Sequence, residues 1–237
     1  MIWENFTAQL NVFIAPTKHF ENLKQKPYWL TPFLVIAILT ILVGYFLLPF
    51  KQGIMLSTLS LQLGEERARD ILSNANQFAL IGLIFTPIPL LIKWLVITAI
   101  LYYTSILLNS QSVNFKIYFS VVVHVELLLL LMSITNIIIL EFKGVSAVNT
   151  MNDLHMIIGL EYLLKEGAND IYLFTVLSNF NLFTIWYVIV LSIAFSIVSQ
   201  VGKWKSSIIV FFVWLSGVSL QIAAIILATN LQKMMGK

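Results

Sequence analysis

Five long apolar stretches, separated by shorter polar segments, dominate the order of residues in this chain. They cover about residues 29–50, 78–108, 117–140, 171–198 and 207–228. A transmembrane helix needs about 20 mostly apolar residues to cross a hydrocarbon core about 30 Å thick. The stretches do not alternate apolar and polar residues, as the strands of a membrane β-barrel do. The pattern predicts an all-α membrane protein, a polytopic bundle of five transmembrane helices.

The second stretch is longer than one crossing requires. A helix over residues 78–108 would be about 46 Å long, and Pro87 and Pro89 lie in its first half. Because proline removes a backbone donor, a kink is expected there. A single kinked span is the favoured interpretation, and two half-helices that meet between Pro87 and Lys93 are the alternative.

Residues 1–28 form a segment with apolar side chains at helical spacing. The first stripe consists of Trp3, Phe6, Leu10, Phe13 and Ile14. Pro16 ends this stripe, and Phe20 and Leu23 indicate a second short turn. An amphipathic stripe of this kind suits a helix that lies in the membrane interface. We therefore expect a cytoplasmic amphipathic segment over 1–28 and a membrane domain over 29–237.

Two longer connections lie on the side opposite the N-terminus. In the first, Glu65 and Arg69 are four residues apart, a spacing that supports a helix through an ion pair. In the second, Asp153 is the expected N-cap of a helix, and Gly167 is its expected end. Both connections are predicted to contain short interfacial helices.

The composition excludes a soluble enzyme or a soluble DNA-binding domain. Hydrophobic residues make up 59% of the chain and charged residues only 11%, whereas soluble chains have about 25% charged residues. The chain has no cysteine, so disulfides and thiolate metal sites are excluded. Catalytic motifs and aromatic-basic patches are absent. We therefore expect no enzymatic activity, no catalytic residues, no cofactor or metal, and no nucleic-acid partner.

The net charge is +3, and its distribution across the membrane sets the expected orientation. Lysines on the N-terminal side lie in shorter segments than the basic residues opposite, and interfacial aromatic residues collect on the same side. These aromatic residues are Tyr28, Trp29, Tyr102, Tyr103, Tyr118 and Trp204. Both features favour a cytoplasmic N-terminus and a C-terminus on the opposite side of a cell (inner) membrane.

Three ionisable residues, Lys93, His124 and Glu126, fall inside the predicted spans. A charge at the centre of a span costs about 2.5–3.5 kcal/mol on an insertion scale, so each is a functional hypothesis. An ion pair between Lys93 and Glu126 is one interpretation. The alternative is that Lys93 extends to the far interface.

The remaining polar candidates are an imidazole and two amides. His124 and Glu126 are about 200° apart around a helix, so one metal ion cannot bind both from a regular helix. For these two residues a packing role is favoured over a proton relay. Asn179 and Asn181 either line a polar cavity or form interhelical hydrogen bonds.

Several short motifs follow one another in a characteristic order. They are Ala15-Pro16-Thr17-Lys18-His19-Phe20, Lys26-Pro27-Tyr28-Trp29, Gly64-Glu65-Glu66-Arg67-Ala68, Val113-Asn114-Phe115-Lys116 and Asn181-Leu182-Phe183-Thr184-Ile185-Trp186. The ordered set resembles the Ypt/Rab-interacting-protein (YIP) domain family over nearly the whole chain, with Pro16, Phe20, Phe183 and Trp186 among the matching residues. The resemblance implies a five-span protein of the short bacterial type. Eukaryotic members associate with Rab-type GTPases but carry a long hydrophilic N-terminal region, whereas about 28 residues precede the first span here.

Two functions fit these features. The first is a non-enzymatic scaffold or adaptor in membrane organisation or trafficking, whose partners are the lipid bilayer and a membrane protein or a second copy of this chain. The second is a small transporter or channel in which the polar residues line one path, namely Lys93, His124, Glu126, Asn179 and Asn181. The scarcity of charge inside the spans favours the scaffold.

Overall fold

The computed structural model describes residues 9–108, 114–164 and 170–235. The helices of this part are α1 (Asn11–Ile14), α2 (Pro16–Gln25), α3 (Leu30–Leu63), α4 (Glu65–Ile84), α5 (Pro87–Leu107), α6 (Phe115–Lys143), α7 (Ile171–Ser178), α8 (Leu182–Ser199) and α9 (Lys203–Met235). Five of them, α3, α5, α6, α8 and α9, are long and apolar enough to cross a membrane. The predicted all-α bundle of five transmembrane helices is confirmed.

Helix α6 forms the axis of the bundle. Its residues 118–128 are all buried, as expected for a helix that is apolar on every side and surrounded by protein. Helices α2, α3, α5 and α8 pack around it. The apolar windows of α3, α5 and α9 are mostly exposed, so these helices present their outer faces to lipid.

The second apolar stretch is divided between two helices. Helix α4 ends at Ile84 and α5 begins at Pro87, a position where the missing proline N–H leaves no hydrogen bond unmade. With 21 residues, α5 is long enough to cross by itself. The structure therefore has neither one continuous helix over 78–108 nor two half-helices of similar length, because α4 ends at Ile84 and the candidate crossing is Pro87–Leu107.

Helices α3 and α4 form an antiparallel hairpin. Helix α3 has 34 residues and extends about 20 Å beyond the length that a membrane core requires. Gly64, with φ of 84°, makes the turn into α4. The Gln52 Nε2 atom donates to Asn76 Oδ1 at 2.7 Å. The hairpin extends from the far side of the bundle, and we call the end where α3 begins the near side.

The fourth apolar stretch is also divided. Helix α7 ends at Ser178 and α8 begins at Leu182. The Asn181 side chain accepts hydrogen bonds from the backbone N–H groups of Phe183 and Thr184, which fixes the start of α8 inside an apolar run. The predicted span over 171–198 is therefore wrong at its beginning, because the candidate crossing is Leu182–Ser199.

The connection from Gly144 to Leu164 contains short 3-10 turns in place of the predicted interfacial helix. The Asp153 carboxylate accepts backbone N–H groups that precede it, those of Asn149 and Thr150, so it does not cap a following α-helix. Burial acts to raise the pKa of Asp153, but these hydrogen bonds outweigh it and lower the pKa. The predicted end of that helix, Gly167, lies outside the described residues.

The described part of the N-terminal segment packs lengthwise along the bundle. The rings of Phe13 and Trp186 are 5.9 Å apart, and Lys24 Nζ donates to the carbonyl oxygen of Ile197 at 3.0 Å. Phe20 and Leu23 are buried. The segment therefore follows α8, and its apolar side chains pack against protein. Trp3 and Phe6 lie outside the described residues.

Candidate functional site

A carboxylate inside the bundle forms the centre of the polar site. Glu126 is 4% exposed and accepts hydrogen bonds at both of its oxygens. The Lys93 Nζ atom lies 2.7 Å from Oε2, and the Tyr187 hydroxyl donates to Oε1 at 3.2 Å. The three side chains come from three helices, α5, α6 and α8, so the site connects the central helix to two of its neighbours.

The ion pair decides between the two interpretations of Lys93. The side chain of Lys93 is 43% exposed, whereas that of Glu126 is almost wholly buried. A buried charge is tolerated when it is paired and hydrogen-bonded. The structure therefore has the pair with Glu126, and the Lys93 ammonium does not extend away to the far interface.

His124 faces another part of the bundle. Its ring lies 4.9 Å from that of His19 and 4.8 Å from that of Tyr28. Its Nδ1 atom is 2.7 Å from the carbonyl oxygen of Ser120. This carbonyl can only accept, so Nδ1 carries the proton. Since Glu126 points to α5 and α8, the structure does not bring the two side chains together.

The two asparagines act at the junction of α7 and α8. Asn179 Nδ2 donates to Gln221 Oε1 of α9 at 3.0 Å, which is an interhelical hydrogen bond. Asn181 caps α8 and also donates to the carbonyl oxygen of Ser178. Both amides therefore have partners in the protein, and they lie apart from the Glu126 site.

The four residues named for the family resemblance lie in the N-terminal segment and in α8. Pro16 is the first residue of α2. Phe20 lies in the same helix, and its side chain is fully buried. Trp186 contacts the N-terminal segment through Phe13. Phe183 is partly buried near the start of α8. Trp186 therefore lies where the N-terminal segment packs against α8.

Sequence reasoning missed the hydroxyl of Tyr187. This tyrosine lies in an apolar run, 61 residues from its partner. The available signal was weak: a buried tyrosine hydroxyl usually has a hydrogen-bond partner. His19 and Gln221 were missed for the same reason, because their contacts are made only in the folded bundle.

Two cavities lie at the near side of the bundle. One, of about 350 Å³, is lined by residues of α1, α2 and the segment before α3, and another is lined by Glu21, Lys24, Gln25 and Ile197. Neither lining includes Lys93, Glu126 or Asn179. Within the described residues, no three His, Asp or Glu side chains converge as metal ligands would.

Comparison with family profiles gives a match over most of the chain. The family profile described as the Yip1 domain matches residues 10–225. No curated protein and no solved structure matches the chain.

Proposed function

The chain belongs to the Yip1 domain family, and from this premise we propose that it is a non-enzymatic scaffold or adaptor in membrane organisation or trafficking. The observation that carries the proposal is the enclosure of the Glu126 carboxylate by Lys93 and Tyr187. A transport path needs polar groups that are free to exchange partners with a substrate or with water. Here both oxygens of Glu126 already accept hydrogen bonds from within the protein, which supports a stable core.

The arrangement of the helices supports the same role. The central helix α6 is enclosed by protein, while the apolar faces of α3, α5 and α9 remain exposed. Lipid covers such faces, and a membrane protein or a second copy of this chain packs on them without changing the core. The proposed partners are therefore the bilayer and another membrane-spanning protein.

We also propose the orientation that the charge distribution favours. The N-terminal side faces the cytoplasm, and the C-terminus lies on the opposite side of a cell membrane. The lysines at the near side support this orientation through the positive-inside rule. With five crossings, we expect the two termini on opposite sides.

Cysteine labelling from water tests the proposed function. The chain has no cysteine, so single substitutions at Glu126 and Asn179 carry the only thiols. We expect both positions to be protected from a charged maleimide applied to membranes opened to both sides. Cysteine at the exposed Lys205 is the positive control and should label fully.

The outcome separates the two functional classes. Labelling at 126 and 179 that is as fast as at 205 would mean that water reaches both positions. A common aqueous path would then exist, and the transporter or channel would replace the scaffold. The melting temperature of each variant shows whether the labelled protein is still folded.

A further inference from the structure

The near-side cavity of about 350 Å³ has a polar lining that neither the fold nor the proposed function explains. Its polar side chains are Asn11, His19, Asn22, Gln25, Lys26 and Tyr28. The volume falls within the range of about 300–1,000 Å³ that is typical of small-molecule sites. Asn22, Gln25 and Lys26 are exposed, so a ligand reaches them without unfolding the segment.

The position of the cavity relative to the helix ends places it near the expected depth of lipid headgroups. Lys26 follows the last residue of α2 and lies close to the start of α3 at the near side. His19 and Tyr28 contact His124, which is nine residues, or about 13 Å, from the start of α6. The polar headgroup region of a bilayer extends several ångströms outside each face of the hydrocarbon core. The cavity therefore begins in this region and reaches a short way below it.

The charge around the cavity favours an anion. Near-side cations of the described residues are Lys18, Lys24, Lys26, Lys116, Lys203 and Lys205, and the acidic side chain among them is Glu21. Glu21 lines the neighbouring cavity together with Lys24, and Lys24 already donates to the Ile197 carbonyl. Lys26 is thus the cation that lines the cavity of about 350 Å³.

The lining offers donors as well as charge. The amides of Asn22 and Gln25 are hydrogen-bond donors beside the Lys26 ammonium. An ammonium surrounded by neutral donors is suited to phosphate oxygens, which accept several hydrogen bonds at once.

We propose that this cavity binds the phosphate-bearing headgroup of an anionic membrane lipid. Lys26 pairs with the phosphate, and the amides of Asn22 and Gln25 donate to its oxygens. Basic pockets between transmembrane helices bind anionic headgroups in the same way. The site holds a lipid against the N-terminal segment and is independent of the scaffold role, which stands whether or not the site binds lipid.

Calorimetric titration of the purified full-length protein in neutral detergent tests the site. The probes are a short-chain phosphatidylglycerol, a phosphatidylcholine with the same chains, and inorganic phosphate. We expect saturable binding of phosphatidylglycerol that K26Q weakens at least about tenfold, because a charge-assisted hydrogen bond is lost. K205Q removes the same charge from the same side outside the cavity and should change the affinity less than about twofold.

A second variant shows whether K26Q weakens binding only by disturbing the structure around Lys26. N22L removes an exposed amide from the lining without changing the charge and should also weaken phosphatidylglycerol binding. Equal losses in K26Q and K205Q, or no saturable binding at all, would overturn the site. Equal affinity for inorganic phosphate would overturn the lipid assignment, and equal affinity for phosphatidylcholine would overturn the requirement for an anionic lipid.

Discussion

The carboxylate of Glu126 is stable inside the bundle because three helices contribute to its surroundings. Its own helix is buried on every side at that level. Lys93 supplies the opposite charge and Tyr187 a hydroxyl donor. A buried ion pair contributes little net stability when it is compared with apolar residues, but removal of one partner is strongly destabilising. The effect of a substitution therefore depends on which partner remains.

Replacement of Lys93 by methionine leaves the charge of Glu126 without a counter-ion. We expect K93M to reduce stability by about 3 kcal/mol, the low end for a broken buried pair, because the Lys93 side chain is partly exposed. The double variant K93M/E126Q should recover most of this loss, since no charge remains. Thermal unfolding of the four proteins in detergent measures the coupling.

The same four proteins also show the result that would contradict this prediction. If the two substitutions were simply additive, the coupling energy would be near zero and the contact would contribute nothing to stability. Lys51→Met is a suitable control, because Lys51 is an exposed lysine of α3. Its removal should shift the melting temperature little.

At the residue scale, sequence reasoning found the charged members of the site and missed the neutral one. Lys93 and Glu126 stand out because an ionisable side chain is rare in an apolar run. Tyr187 does not stand out, because tyrosine is common in membrane helices near their ends. The contact of His124 with His19 and Tyr28 depends on the path of the N-terminal segment, and local spacing does not reveal that path.

At the scale of the elements, hydropathy predicted the five crossings but not where the helices end. Apolar composition continues from α4 into α5 and from α7 into α8, so a hydropathy pattern crosses both breaks. The breaks depend on backbone hydrogen bonds: Pro87 cannot donate one to α4, and the Asn181 side chain accepts those at the start of α8. The predicted interfacial helix after Asp153 fails for a related reason, because this carboxylate binds the backbone before it.

The cap of α8 gives a prediction at this scale. Asn181 is 3% exposed, and its replacement by alanine leaves the N–H groups of Phe183 and Thr184 without their acceptor. We expect N181A to reduce stability by about 0.5–2 kcal/mol. N181S retains a capping oxygen and should remain close to the unchanged protein in the same unfolding measurement. Equal losses in both variants would show that the cap is not the cause.

The far-side connection gives a prediction about pH. Burial lowers the pKa of His155, and the nearby Glu161 only partly opposes this. Below about pH 6.5 the unfolded chain therefore binds a proton at His155 more readily than the folded protein does, and stability falls as the pH falls. We expect acidification to speed proteolytic cleavage of the Gly144–Leu164 connection.

The control for this effect is H155Q, which cannot titrate at this position. Cleavage of H155Q should depend less on pH than cleavage of the unchanged protein. Because the comparison is a difference between two variants, other titrating groups contribute equally to both. An identical pH dependence in the two proteins would exclude His155 as the cause.

At the scale of the whole molecule, the bundle is a buried axis inside a lipid-facing ring. The carboxylates are unevenly distributed along this axis: most of them lie at the far side, whereas basic residues occur at both ends. The far-side carboxylates of the described residues are Glu65, Glu66, Asp70, Glu141, Asp153, Glu161 and Asp170. Sequence reasoning recovered this uneven distribution because it depends only on the order of spans and loops.

The proposed orientation predicts the result of a reporter fusion. Alkaline phosphatase is active only outside the cytoplasm, so a fusion after Lys237 should be active. A fusion after Gly202, which is at the near side between α8 and α9, should be inactive. The reverse pair of activities would show that the N-terminus faces away from the cytoplasm, whereas activity in both fusions would show that one of the five helices does not cross.

The order of the helices around α6 has a consequence for how a ribosome and an insertion machine assemble this protein. Three of the four helices that enclose α6, namely α2, α3 and α5, are synthesised before it, and only α8 follows. Lys93 therefore already resides in the bilayer when Glu126 arrives. Glu126 is therefore inserted after its counter-ion, Lys93. Tyr187 is synthesised later than both, so its hydrogen bond to Glu126 forms last.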